Sequence, residues 1–225
     1  MDQIDLKMKK QFDRIPEHLK PKDHGTDALF KSGFMEKLTR THISIPVIMH
    51  LSIVGYVSYL ALQQFAITTF IPIFAAGILF WTFSEYWVHR YLYHVKTEKK
   101  WLLKIQHMGH GIHHQYPKDP TRLAMPPVPA LILLSVFYSL FYGLFWLIGN
   151  AELAIIFFPG FLLGYTGYIS FHYLQHVIKP PKFGPVNRLW KFHALHHYKY
   201  PETKAFGVTT KLWDIVFGTL PNEKV

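Results

Sequence analysis

The sequence contains no cysteine. Disulfide bridges, thiolate metal ligands and cysteine-bound iron–sulfur clusters are therefore excluded, while the redox compartment stays open. Acidic residues are scarce, 14 Asp and Glu against 24 Lys and Arg, for a net charge of +10. Those basic residues form no nucleic-acid-binding motif, so no RNA or DNA partner is expected. Residues 1–40 are charged and lack the short apolar core of a cleavable signal peptide. Glu-x-x-His pairs, with which soluble di-iron bundles hold their metals, are absent as well.

The most informative shortage is of charge within long stretches. Residues 43–62, 128–148 and 153–171 carry no Asp, Glu, Lys or Arg, and 65–88 carry only Glu85. About 20 apolar residues cross the hydrocarbon core of a bilayer, so each stretch reads as a transmembrane helix. The breaks at Gln63–Gln64 and at 149–152 are tight, which makes two helical hairpins. Of the Lys and Arg, nine fall in 1–42, seven in 89–127, eight in 172–225 and none in the hairpin turns. By the positive-inside rule the N-terminal segment, the central loop and the C-terminal segment all face the cytosol. The expected class is an all-α membrane protein, lying in a bacterial inner membrane or in the endoplasmic reticulum of a eukaryote.

Residues 1–42 are polar and broken by Pro16, Pro21 and Gly25. They read as a membrane-surface segment, with a short amphipathic helix over 27–39 and solvent-facing His18, His24 and His42. Residues 43–225 form the second, membrane-embedded domain.

Histidine is abundant, and it is patterned. Eleven of fifteen lie between His89 and His197. His89 and His94 make H-x4-H, and His172 and His176 make H-x3-H. His110, His113 and His114 make H-x2-H-H, repeated by His193, His196 and His197. A single H-x2-H-H match is expected about 0.07 times by chance at this histidine content. On an α-helix, positions i, i+3 and i+4 share a face, so each triplet can aim three rings at one point. His89 and His94 converge only if their helix ends or carries a π-bulge between them. Ten imidazoles exceed what one ion takes, so two ions are the natural count, and imidazole suits Fe, Zn, Cu or Ni. Glu85, Asp119, Glu202 and Asp214 are the carboxylates placed to support the ligands, or else to form ordinary ion pairs. Asp119 with Arg122 can hold the loop after His114. A metal transporter would need ionisable groups at the bilayer midplane; three of the spans carry no charge, and His50 alone is a poor pathway.

The strings EYWVHRYLYH, HGIHHQYPKDPTRLAMPP, FHYLQH and HALHHYKYPETKAFGVTTKLWDIVFGT resemble the membrane fatty acid hydroxylase superfamily, and most nearly its sphingolipid fatty acid 2-hydroxylases. The resemblance runs over residues 43–219. It implies a four-helix anchor under a cytosolic helical cap that holds a dinuclear metal site. The implied ligands, and catalytic residues, are His89, His94, His110, His113, His114, His172, His176, His193, His196 and His197. The implied reaction is O2-dependent hydroxylation at C2 of the acyl chain of a ceramide-like membrane lipid. Iron would be the working metal, because zinc has no redox chemistry, although zinc can occupy such a site in a preparation. Other superfamily members oxidise sterols, carotenoids or alkyl lipids, or desaturate them.

Three features depart from that pattern. No cytochrome b5 domain fits within residues 1–42, so electrons are expected from a separate donor, cytochrome b5-like or a ferredoxin with its reductase. Tyr168, the candidate substrate-binding residue, is followed by Ile169 where an acidic residue is common. His107 is an additional histidine, for which a supporting or structural role is expected.

Overall fold

The computed structural model describes residues 15–22 and 25–223, and every regular element among them is helical. The α-helices are α1 (Gly33–Lys37), α2 (Ser44–Leu62), α3 (Ile67–Val88), α4 (Lys100–Gln106), α5 (Ile112–Gln115), α6 (Pro127–Leu147), α7 (Ala154–Val177), α8 (Gly184–Tyr198) and α9 (Leu212–Val216). Two π-helical turns, His89–Tyr93 and His107–Gly111, precede stretches that carry histidines. Four segments are long and apolar enough to cross a membrane: Ser44–Leu62, Ile67–Tyr93, Pro120–Leu147 and Ala151–Val177. The second and fourth run further than charge and hydropathy place them. The π turn continues α3 without a break, and α7 continues past Phe171 to include His172 and His176.

The chain divides into two compact units. One comprises Phe30–Ser84 and Ala124–Ser170, the greater part of all four spans. Its core is built from Val54, Trp81, Leu134, Phe141, Phe158, Phe161 and Leu162. Helices α3 and α7 pack backbone to backbone in this unit. A Cβ on Gly77 would lie 2.3 Å from the Phe157 carbonyl oxygen, and one on Gly160 2.1 Å from that of Phe74. In lipid, where apolar side chains gain little by meeting one another, small residues of this kind let helices associate by close contact. Gly160→Ala is therefore expected to destabilise the protein in detergent by about 1–3 kcal/mol. Gly167→Ala, where a Cβ meets nothing within 4 Å, should leave the thermal midpoint in place. Equal midpoints for the two variants would remove this contact from the description.

The second hairpin turns on Gly149, whose φ of +74° an L side chain adopts at a cost. Its N–H donates to Trp146 (2.9 Å) and that of Asn150 to Phe145 (2.9 Å), closing the carbonyl end of α6.

The amphipathic helix expected over 27–39 contracts to α1. Ser32 Oγ accepts from Met35 N at 3.5 Å and starts the helix there, and Glu36 pairs with Arg40 at 2.9 Å. His42 is exposed as expected, its Nδ1 2.7 Å from Ser44 Oγ. His24 and the His18 side chain, expected to face solvent, lie outside the described residues, as do residues 1–14 of the membrane-surface segment.

The other unit comprises Met1–Leu29, Glu85–Leu123 and Phe171–Val225. It holds α4, α5, α8, α9 and all ten patterned histidines.

Candidate metal centre

The ten histidines form two groups of five, and within each the ligand nitrogens lie within 4.8 Å of one another. One group is His89, His94, His110, His114 and His196; the other is His113, His172, His176, His193 and His197. Neither H-x2-H-H triplet aims at one point. The i and i+4 members of each go to one group and the i+3 member to the other, because i+3 and i+4 stand about 100° apart round a helix. His110 and His114 thus serve the first group and lend His113 to the second; His193 and His197 serve the second and lend His196 to the first. The groups interlock, and His114 stacks on His197 at 4.2 Å.

Backbone register makes this possible. The π turn at His89–Tyr93 widens the helix by one residue per turn, which brings residues five apart to nearly one face. His89 and His94 consequently converge, their ring centroids 5.0 Å apart. The second π turn, at His107–Gly111, was not foreseeable from spacing; it sets the register of His110 ahead of α5. Tyr93 stacks on His110 at 4.9 Å.

The contacts between the ring nitrogens decide what the groups can be. In the second group Nε2 atoms follow one another in a closed ring: His113 to His197 (3.1 Å), His197 to His193 (3.1 Å), His193 to His176 (2.8 Å), His176 to His172 (3.2 Å) and His172 to His113 (3.1 Å). A neutral imidazole nitrogen either donates or accepts. Five members cannot alternate round a ring, so at least one contact would be mismatched. The first group fails in the same way. His89 Nδ1 donates to the Phe206 carbonyl (2.5 Å) and His196 Nδ1 to that of Lys204 (3.1 Å), which leaves lone pairs on both Nε2 atoms. His110 and His114 would then have to donate to them (2.9 and 3.2 Å) and would face each other N–H to N–H at 3.0 Å.

Ten lone pairs directed at two cations remove the conflict. The observed 2.8–3.2 Å separations match nitrogens at right angles round an ion some 2.1 Å away, about 3.0 Å, rather than the roughly 3.4 Å of a tetrahedron. The residues present therefore fit metal ions, and each group could hold one. Protonation offers no escape. Burial holds the imidazoles of His110, His113, His114, His193, His196 and His197 well below their usual pKa, and neighbouring rings push most of them further down.

A feature missed from the sequence is the loop that orients two of these rings. Five successive amides are consumed by three acceptors. Ala205 N donates to the Thr219 carbonyl (3.0 Å), Phe206 N and Gly207 N to the Asp214 carboxylate (3.0 and 2.8 Å), and Val208 N and Thr209 N to Glu85 (2.6 and 3.0 Å). Hydroxyls complete both acids, Thr209 on Glu85 and Thr219 on Asp214, each at 2.6 Å. A Cβ on Gly207 would lie 2.0 Å from the Thr210 carbonyl oxygen, and Ala205 takes a φ of 61° while fully buried. Glu85 and Asp214 are thus neither ligands nor ion-pair partners in these contacts, but clamps on backbone. Burial raises the Asp214 carboxyl above its ordinary range. The signal was present in the string FGVTTKLWD, whose Gly207, Thr209 and Asp214 take part.

The other candidates lie elsewhere. Asp119 caps the turn Pro120–Arg122, accepting from Thr121 N (3.0 Å), Thr121 Oγ1 (2.7 Å) and Thr26 Oγ1 (2.5 Å), while Arg122 donates to the Asp27 carbonyl (2.7 Å). That loop is pinned to the N-terminal segment. Glu202 is half-buried in the turn after α8 and takes no part in the clamp. His107 joins neither group; it opens the second π turn, and a Cβ on Gly111 at the turn's end would sit 3.3 Å from its Nδ1. His50 is buried beside Tyr165, ring centroids 5.2 Å apart. Tyr168 lies one turn before His172 on α7 and 5.6 Å from the ring of Trp81; Ile169 is buried.

Four apolar helices of spanning length and two buried, metal-ready histidine groups define a multi-pass membrane protein with a polyhistidine centre. A model of the family described as fatty acid hydroxylase matches residues 74–219. The dihydroceramide fatty acyl 2-hydroxylase FAH1 of Arabidopsis thaliana is 38% identical over 197 residues, covering 87% of this chain and 80% of that protein. The ceramide very long chain fatty acid hydroxylase SCS7 of Saccharomyces cerevisiae is 35% identical over 201 residues, covering 87% of this chain and 50% of its own. A solved structure of full-length scs7p, with only the hydroxylase domain visible, superposes with a TM-score of 0.79 at 32% identity, covering 95% of this chain and 83% of that one. The chain belongs to the fatty acid hydroxylase family. It is an oxidoreductase that hydroxylates lipid acyl chains.

Proposed function

We propose that the ten histidines hold two metal ions, iron in the working enzyme, and that the protein hydroxylates C2 of the acyl chain of a ceramide-like lipid. The observation that carries the metal reading is the mismatch of ring-nitrogen contacts, which only shared cations relieve. The names of the relatives, dihydroceramide fatty acyl 2-hydroxylase and ceramide very long chain fatty acid hydroxylase, support the substrate class and the position. Iron supplies the activation of O2 that zinc, without redox chemistry, does not. The net reaction takes one C–H bond, O2, two electrons and two protons to one C–O–H group and water.

The protein's own part is to place and protect. The buried histidines hold their ions away from bulk water, and the clamped loop fixes the tautomers of His89 and His196. Tyr168, on the same face of α7 as His172, is the residue proposed to orient the lipid. The distribution of Lys and Arg supports a site on the cytosolic side, with residues 1–42 as a surface segment and 43–225 as the hydroxylase domain. The two electrons come from a separate donor, a cytochrome b5-like protein or a ferredoxin with its reductase.

Lipid mass spectrometry of cells with and without the protein tests this reading. Ceramide-like species bearing a 2-hydroxyacyl chain should appear only with the protein. Hydroxyl at another carbon, or on a sterol or carotenoid, would overturn the substrate and position.

A further inference from the structure

Resting on the reading of the ten histidines as ligands, we propose that the two sites are unequal, and that Glu85 and Asp214 are positioning residues for one ion only. They serve the ion held by His89, His94, His110, His114 and His196, which is therefore retained while the other exchanges.

Two rings of the first site are gripped from behind by one loop. The Phe206 carbonyl takes the Nδ1 proton of His89 and the Lys204 carbonyl that of His196. These two carbonyls bracket Ala205, and the amides of residues 205–209 are all engaged, four of them on Glu85 and Asp214. A loop so held cannot turn its carbonyls away without breaking bonds to two buried carboxylates. Two of the five rings consequently stay in the ligating tautomer and orientation whether or not the ion is present.

The second site has a single backbone partner of this kind, Leu123 behind His172, and no clamped loop. Nδ1 of His113, His193 and His197 is buried with no hydrogen-bond partner among the described residues, three of its five rings, against His114 in the first site. His176, its remaining half-buried member, is more open than any ring of the first. An imidazole with nothing behind it can flip tautomer or rotate once its ion leaves, and recapture requires it to return. Outer partners of this kind are typically worth 10–100-fold in metal affinity.

The test uses the full-length protein loaded with zinc to two ions per chain, then challenged with excess chelator while released zinc is followed in time. Wild type should release its zinc in two equal phases at least about 10-fold apart in rate. His193→Ala should lack the fast phase and His196→Ala the slow one. Glu85→Gln removes the charge from the acceptor of the Val208 and Thr209 amides and sets an N–H2 against the Thr209 hydroxyl. It should quicken the slow phase by roughly 10–100-fold and leave the fast phase unchanged. Thr209→Ala removes only a hydroxyl from the same carboxylate and should move the slow phase alone, by less. It carries the test if Glu85→Gln does not fold. A single phase in wild type, or equal acceleration of both phases in these variants, overturns the proposal while leaving the ligand assignment standing. Wild type that cannot be loaded beyond one ion overturns both.

Discussion

His196→Ala is expected to cut the metal content from two ions per chain to one and to bring 2-hydroxylation below detection. His196 is the i+3 member of its triplet, so its loss strikes the group of His89, His94, His110 and His114 and leaves the five rings of the other intact. The side chain is fully buried, and its Nε2 meets those of His94 (3.1 Å) and His114 (3.2 Å). Removing it breaks the chain of nitrogens in the middle and leaves the Lys204 carbonyl without the Nδ1 proton it accepts. The loss in affinity should exceed the roughly 10–100-fold that an outer partner is worth. His107→Ala, outside both groups, should keep both ions. Metal analysis of the two purified variants beside wild type reads the difference. Two ions and undiminished turnover in His196→Ala would contradict the assignment.

Acid should strip the metals and unfold the metal-free protein together. Burial lowers the pKa of His110, His113, His114, His193, His196 and His197 in the folded chain, while the unfolded chain takes up protons near the usual 6.5 or so. Below that pH the unfolded state binds more protons than the folded one, so stability falls as pH falls, by about 1.4 kcal/mol per unit for each such ring. Above it the contribution is fully present. Because the folded rings are neutral at pH 7, metal binding there displaces few protons, and occupancy should hold to the edge of the window before collapsing. Thermal midpoints of metal-free protein should be level from pH 8 to 7 and drop steeply below about 6.5. Metal content unchanged down to about pH 4 would count against imidazole ligation.

The sequence carried much of this, unevenly. Uncharged runs announced four spans, since burying charge in lipid is costly, and the spacing of His89 and His94 demanded a break in α-helical register that the structure supplies as a π turn. The partition of each triplet between two groups was not legible. It follows from the 100° between i+3 and i+4, which matters only once the partner helices are placed. Glu85 and Asp214 read as possible supports for the ligands, but their means was hidden: both act through backbone amides, Asp214 on residues 206 and 207 close by and Glu85 on residues 208 and 209 far along the chain, and amides leave no mark in a sequence. The helix expected over 27–39 was overextended because the apolar pattern there outruns the Ser32 cap. His107, for which a supporting or structural role is expected, joins neither group.

X-ray absorption at the iron edge, on protein carrying two irons per chain, puts the coordination to the most direct test. Close to five imidazole nitrogens about each ion are predicted, as the two groups of five require. A shell dominated by oxygen, or one with fewer than three imidazoles per ion, would contradict it.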